Sequence, residues 1–355
     1  MKIAVVAITR NGAELALRIG YDLKADIYIK SEFIERYIIT GEMFFIHPVT
    51  ADFSAFVGKI FKSYDGIVFV MACGIVVRTI APFIKDKVND PAVVVVDEKG
   101  NHAISLISGH IGGANKLARE VAAITRGVPV ITTATDISGV MAFDVLAAEN
   151  NSWIENIQDL KLISSELVNG GKVHFFTDNM LSGEFPQNII YEGSQGAPGK
   201  VYHKAVVLTN NIKFPVKAET VLIIRPRNLI LGIGCKKGTR KSSIEKAVID
   251  FLQKNNKSIF SLKEVISIDL KKEEKGIVEF CMDKNLNFRT ISAEVIKTIE
   301  NRFAGSEFVK KTTGVGSVAE ACAVLGGENT KLICRKTVYK GITLALAEEE
   351  RVFYI

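Results

Sequence analysis

Cysteine is scarce in this 355-residue chain, and the five present (Cys73, Cys235, Cys281, Cys322 and Cys334) are scattered, odd in number and form no C-x-x-C pair. That argues against a disulfide framework and a structural zinc site, and it fits reduced thiols in a cytoplasm. Long apolar runs are also lacking. The best, Gly66 to Val77, is interrupted before it could span a bilayer, and the opening Met1 to Ala7 is too short and too strand-like for a signal peptide. Neither a membrane segment nor a membrane partner is expected. Aromatics are not interleaved with the basic runs Lys236 to Lys241 and Lys310-Lys311. The stacking half of a single-strand nucleic-acid site is therefore missing. With a net charge of only +6, a small polyanionic ligand suits those runs better than nucleic acid, and a plain solvated surface also explains them. There is no internal repeat, no low-complexity tract, no H-E-x-x-H, no G-x-S-x-G and no carboxylate-rich cluster. No protein-bound metal is expected.

What is present is an ordinary globular composition, 48% apolar and 24% charged, long enough for two or three domains. From Lys2 to about Thr135 apolar strands alternate with helical spacings, among them Lys2 to Ile8, Asp26 to Ile29, Gly66 to Met71 and the β-branched run Ala92 to Asp97. The expected fold is α/β, a doubly wound and mostly parallel sheet over residues 1–149. The turn Glu98-Lys99-Gly100-Asn101 predicts that the strand from His102 pairs antiparallel with the one before it. A small α/β middle domain is expected over 150–225, with Trp153 to Val168 helical, and a separate α/β domain over 226–355. Arg225-Pro226-Arg227-Asn228 reads as the linker between them. Apolar strands near Ala92 and Val221 read as exposed enough for a homodimer.

Chemistry concentrates between Ala103 and Thr135. The strand Ala103 to Ile107 runs into Ser108-Gly109-His110-Ile111-Gly112-Gly113-Ala114-Asn115-Lys116, then a helix to about Thr125, then Pro129 to Asp136. Three glycines in five residues permit positive φ and close backbone approach, and amides at a helix start suit an anion. His110 reads equally as a general acid/base or as a turn histidine bonded to backbone. Asp136 reads as the group that orients it or as an N-cap. Arg78 is either a carboxylate clamp or half of a surface ion pair. Cys73 has no local activator and is better read as a buried small residue than as a nucleophile. Gly232-Ile233-Gly234-Cys235-Lys236-Lys237-Gly238 opens a helix expected from Ser242, with a Ser/Thr start before Glu245. Its third glycine is one place late for a dinucleotide loop, and no acidic residue follows where a ribose contact belongs. Lys236, Lys237 and Arg240 instead make it an anion-binding turn. Gly314-Val315-Gly316-Ser317 with Glu320 reads as a capping box or a ligand contact.

Met71 to Pro82 (Met71-Ala72-Cys73-Gly74-Ile75-Val76-Val77-Arg78-Thr79-Ile80-Ala81-Pro82), Lys87-Val88-Asn89-Asp90-Pro91-Ala92-Val93, Ser105 to Asn115 (with Ser108-Gly109-His110-Ile111-Gly112-Gly113-Ala114-Asn115) and Ile131-Thr132-Thr133-Ala134-Thr135-Asp136 together resemble the CbiG family of cobalamin biosynthesis. Gly232 to Thr239, Ser267-Ile268-Asp269-Leu270-Lys271 and Gly316 to Ala321 resemble its C-terminal part. The likeness covers nearly the whole chain. Cys73, where a small residue such as Thr is expected, is one departure and favours its packing role. The resemblance implies a cytoplasmic cobalt-precorrin-5A hydrolase, which opens the δ-lactone between the ring A acetate and C20 and releases acetaldehyde. The cobalt belongs to the corrinoid substrate, so no cofactor is implied, and contacts with neighbouring pathway enzymes are transient. On chemical grounds His110 is expected as acid/base with Asp136 as its orienter. The amides of Gly112 and Gly113, with Asn115 or Lys116, would stabilise the oxyanion, while Thr133, Arg78, Lys236 and Lys237 would bind substrate. The alternative is a tetrapyrrole-binding or hand-over protein without catalysis of its own.

Overall fold

Strands as continuously apolar as Gly66–Val70 and Ala92–Val96 are stable only when both faces are covered, and the computed structural model covers them. Residues 1–34, 46–86, 89–110, 112–133 and 138–355 are described, and the chain divides into two compact units, Met1–Val145 and Leu146–Ile355.

In the first unit the order is β1 (Ile3–Ala7), α1 (Arg10–Leu23), β2 (Asp26–Ile29), α2 (Ser31–Ile34), β3 (Ile46–Pro48), α3 (Phe53–Ser63), β4 (Gly66–Val70), α4 (Cys73–Ile80), β5 (Ala92–Val96), β6 (His102–Ile107), α5 (Ala114–Thr125) and β7 (Val128–Val130), with α6 (Phe143–Glu149) at the boundary. Among the described residues the seven strands form one sheet in the order β3-β2-β1-β4-β5-β6-β7. The first five are parallel, β6 turns back antiparallel on β5, and β7 runs parallel to β6. Alternation along the strands sorts the core. Val5, Val68, Val94 and Val96 pack against α1 and α5, whereas Val6, Phe69, Val93 and Val95 pack against α3 and α4. Each such side chain contributes about 1.5–3 kcal/mol over its exposed state. Ala92 to Val96 are at most 1% exposed, so this strand is central and offers no dimer edge. The reversal at β5/β6 is fixed by Asp97, whose carboxylate accepts the amides of Lys99 and His102 at 3.0 and 2.7 Å.

The second unit holds two five-stranded sheets among its described residues. The first has the order β11-β9-β12-β13-β8, from β8 (Ser152–Ile154), β9 (Val173–Thr177), β11 (Ile189–Tyr191), β12 (Val201–Leu208) and β13 (Lys217–Pro226). Helix α7 (Ile157–Val168) covers it. The second has the order β16-β15-β14-β18-β17, from β14 (Leu229–Cys235), β15 (Leu262–Ile268), β16 (Asn287–Ile291), β17 (Thr330–Tyr339) and β18 (Ile342–Glu349). Its helices are α8 (Lys241–Lys254), α9 (Lys275–Asp283), α10 (Ala293–Lys297), α11 (Glu307–Thr313) and α12 (Ala319–Val324). A short parallel pair, β10 (Met180–Ser182) with β19 (Val352–Tyr354), joins the two parts.

Several expectations are corrected here. Trp153 lies in β8 and not in a helix, because its backbone pairs with Arg225 of β13. Val221 lies in an internal strand and is half-buried. The expected linker is no exposed tether: Arg225 and Asn228 are each 2% exposed. The Arg225 guanidinium donates to Glu155 at 2.5 Å and to the carbonyl of Thr209 at 3.1 Å, and Asn228 donates to Glu348 at 3.0 Å. A buried guanidinium must find such partners or lose several kcal/mol, and they knit this junction shut. Helix α8 starts at Lys241 with Arg240 as its N-cap, and the donor-only guanidinium makes no capping bond; Glu245 instead pairs with Lys284 at 2.6 Å.

Candidate active site

The turn after β6 is built by backbone hydrogen bonds that its glycines make possible. Ser108 takes φ +57°, and its carbonyl accepts the Ala114 amide at 3.0 Å. The Gly109 carbonyl accepts the Asn115 amide at 3.0 Å, and the His110 carbonyl accepts the Gly113 amide at 2.9 Å. Gly113 caps α5 at φ +86°. A Cβ on Gly112 would come within 2.4 Å of the Ser108 Cβ and 2.8 Å of its carbonyl oxygen, so only glycine fits there.

Asn115 locks this turn to both strands. It is 4% exposed; its Oδ1 accepts from Ser105 Oγ at 2.6 Å, and its Nδ2 donates to Thr133 Oγ1 at 3.1 Å. Ser105 stands in β6 and Thr133 just beyond β7, so one buried amide ties two strand ends to the helix start. With its carbonyl taken by Ser105 and an N–H given to Thr133, Asn115 has a positioning part. Lys116, the next residue, is exposed on the solvent side of α5.

His110 pairs with a carboxylate. Its Nδ1 lies 3.1 Å from Asp144 Oδ2, with the two side chains 18% and 11% exposed. Asp144 sits in the first turn of α6, where its other oxygen accepts the Val145 amide at 3.1 Å. A carboxylate at Nδ1 fixes the tautomer that leaves Nε2 basic. Asp144 thus occupies the place that the sequence suggested for Asp136, which lies outside the described residues. Little in the sequence singled out Asp144, because an acidic residue in a first helical turn is commonplace. Ser105 carried a fainter signal, a hydroxyl inside an apolar strand.

The structure gathers His110, Gly112, Gly113, Asn115 and Thr133, but separates them from Arg78. Ile107 at the end of β6 pairs with Val93 at the start of β5, so the His110 turn sits at the amino ends of β4 and β5. Arg78 is exposed on α4, which follows the carboxyl end of β4, and its Nη1 turns back to the Gly74 carbonyl at 3.4 Å. The two lie at opposite edges of one sheet. Cys73 is half-buried against the α3 side of the core. Of the expected amide donors, Gly113's is engaged inside the turn, whereas Gly112's makes no hydrogen bond among the described residues.

Lys236 and Lys237 lie in the second unit, exposed in the loop after β14. The Gly238 amide there donates to Glu274 Oε1 at 2.7 Å, and Lys271 pairs with the other oxygen of that carboxylate at 2.9 Å. Glu274 is 8% exposed, so the anion held by this loop is the chain's own. Ser317 donates to Glu320 at 3.2 Å, but α12 has Val318 as its N-cap without a side-chain bond; no capping box forms. The thiols of Cys281 and Cys322 are pushed up to about 12 by burial. Among the described residues no three His, Cys, Asp or Glu side chains are grouped to hold a metal, and no helix is long and apolar enough to cross a membrane.

Comparison with known proteins gives one consistent result along the chain. Three family profiles match in succession: "Cobalamin synthesis G N-terminal" over residues 55–136, "Cobalamin biosynthesis central region" over 141–226 and "Cobalamin synthesis G C-terminus" over 229–347. A cobalt-precorrin-5A hydrolase of Priestia megaterium is 34% identical over 360 residues, covering 97% of this chain and 94% of that protein. One from Salmonella typhimurium is 32% identical over 351 residues, covering 97% of each. A probable cobalt-precorrin-5A hydrolase of Methanocaldococcus jannaschii is 28% identical over 306 residues, covering 82% of this chain and 88% of that protein.

Proposed function

The chain belongs to the cobalamin synthesis G family, and from that premise we propose that it is a cobalt-precorrin-5A hydrolase whose acid/base centre is the His110–Asp144 pair. The likeness to the hydrolases along nearly the full length of the chain supports the reaction. The single observation that supports the placing of the chemistry is the Nδ1-to-carboxylate bond of His110 at 3.1 Å.

The substrate joins its ring A acetate to C20 through a δ-lactone. Opening it needs a base for the attacking hydroxyl, water in the simplest case, and a donor for the tetrahedral oxyanion. His110 Nε2 is the base, Asp144 stabilises the imidazolium that forms, and the Gly112 amide, which makes no hydrogen bond among the described residues, is the oxyanion donor. Asn115 holds that amide in place by pinning the turn to Ser105 and Thr133. The freed C20 hydroxyl collapses to the carbonyl of acetaldehyde. The electron pair of the broken carbon–carbon bond stays on the macrocycle and takes a proton, which we assign to His110. Lys116, exposed on α5 next to the His110 turn, is a cation suited to the substrate's peripheral carboxylates. The five free thiols support a cytoplasmic setting.

His110→Ala tests the assignment. Loss of a positioned acid/base group lowers acetaldehyde release by about a hundredfold or more, with circular dichroism unchanged. Release at the wild-type rate would remove His110 from the reaction.

A further inference from the structure

Seven described residues other than glycine adopt positive φ: Lys24, Ser108, Arg126, Asn151, Asn256, Asn285 and Asn329. Lys24 and Arg126 are the left-handed C-caps of α1 and α5, where that conformation closes a helix. The four asparagines belong to the residue type that best tolerates it. Ser108 is the exception. It neither ends a helix nor carries a side chain suited to that region, and it stands at the exit of a strand six residues before a helix begins. A non-glycine residue held this way is strained, and such strain clusters at functional sites.

Its surroundings enforce the strain. The Ser108 carbonyl is bonded to the Ala114 amide, and Gly112 lacks a Cβ where one would strike Ser108. The hydroxyl of the half-buried Ser108 makes no hydrogen bond among the described residues. A serine on a sharp strand-to-helix turn is how hydrolases present a nucleophilic Oγ, and the acid/base dyad lies two residues further on.

We propose that Ser108 is the nucleophile that opens the lactone, so that the reaction passes through an ester between Ser108 and the ring A acetate. The inference rests on the reading of His110 as the acid/base group. Ser108 Oγ attacks the lactone carbonyl while His110 Nε2 takes its proton. The acyl–oxygen bond to C20 breaks, and His110 returns the proton to the departing C20 oxygen. Water, deprotonated by the same imidazole, then hydrolyses the ester, freeing the acetate and restoring the hydroxyl. The net change is the addition of one water.

Ser108→Gly is the decisive variant, because glycine adopts φ +57° without strain and only the hydroxyl is lost. The expected result is a melting temperature equal to or above that of the wild type, with lactone opening of cobalt-precorrin-5A reduced at least about a hundredfold. A purely structural serine gives the opposite pairing, a stable variant that keeps its rate. Ser108→Ala serves as the second variant, with the same loss of rate. Acid-quenched single turnovers of the wild type, read by intact-protein mass spectrometry, are expected to show a substrate-sized adduct on the peptide containing Ser108. A Ser108→Gly enzyme opening the lactone within about threefold of the wild type overturns the proposal. If His110→Ala remains inactive in that case, the acid/base reading stands with water as the attacker. Full activity of His110→Ala would bring down that reading instead.

Discussion

The chain contains two glycine-rich turns between a strand and a helix, and they end up doing different things. At the turn 108–113 the amides of Gly113, Ala114 and Asn115 go to the turn's own carbonyls, the Gly112 amide makes no hydrogen bond among the described residues, and an imidazole is paired with Asp144. The turn at 234–239 gives an amide to buried Glu274, itself paired with Lys271, and leaves two lysines in solvent. Both patterns advertise an anion site, since both place glycines and cations at a helix start. A site of that kind depends on who fills it. In the second turn a carboxylate from the chain got there first.

Four changes test how deep this contrast goes. Asp144→Asn should have the largest effect, since an amide at Nδ1 favours the wrong imidazole tautomer. Acetaldehyde release is expected to fall by about a hundredfold or more, with little change in melting temperature. Gly112→Ala comes next, because its new Cβ meets the side chain and backbone of Ser108. Urea titration should show a loss of about 1–3 kcal/mol and a drop in activity with it. Gly238→Ala, at φ +75° with nothing within 4 Å of the new Cβ, should cost only the left-handed strain, about 1–2 kcal/mol. Equal costs at the two glycines would erase the distinction between a crowded catalytic turn and an open one. Replacing both Lys236 and Lys237 by alanine should leave kcat and the urea midpoint almost unchanged, as expected for exposed cations in a loop whose buried anion, Glu274, is already held by the Gly238 amide and Lys271.

A further test concerns pH. Burial raises the Cys281 and Cys322 thiols to about 12, so the folded chain holds protons that the unfolded chain releases near its free-thiol value of about 8.5. Their contribution to stability is complete below that value and declines as pH rises towards 12. Urea midpoints that stay flat between pH 8 and 10 would contradict it.

Much of this was legible in the sequence. Apolar runs such as Ala92 to Val96 announced their own burial, and the Asp97 to Asn101 turn announced the reversal that follows. The His110 turn was visible because glycines, an imidazole and an amide crowd into a few residues. Other features depended on distant partners. Asp144 meets His110 from 34 positions away, and no local pattern marks it. Arg225 to Asn228 read as a linker because Pro and Arg are usually exposed; only Glu155, Thr209 and Glu348, each remote in sequence, reveal that this segment is buried. Arg78 reads from sequence as a carboxylate clamp or half of an ion pair, and only the strand directions place it at the opposite strand ends from His110.

The pairing of β10 with β19 bears on the order of folding. Asn150 bonds to the backbone of Tyr354 across 204 positions, a separation that makes closure entropically costly and slow. Strand β10, which follows β9, therefore gains its partner only once β19 at the far end of the chain is in place. Residues 146–355 should then unfold in one cooperative step, and a fragment cut between Pro226 and Leu229 would leave β10 without a mate and the Asn228–Glu348 contact severed.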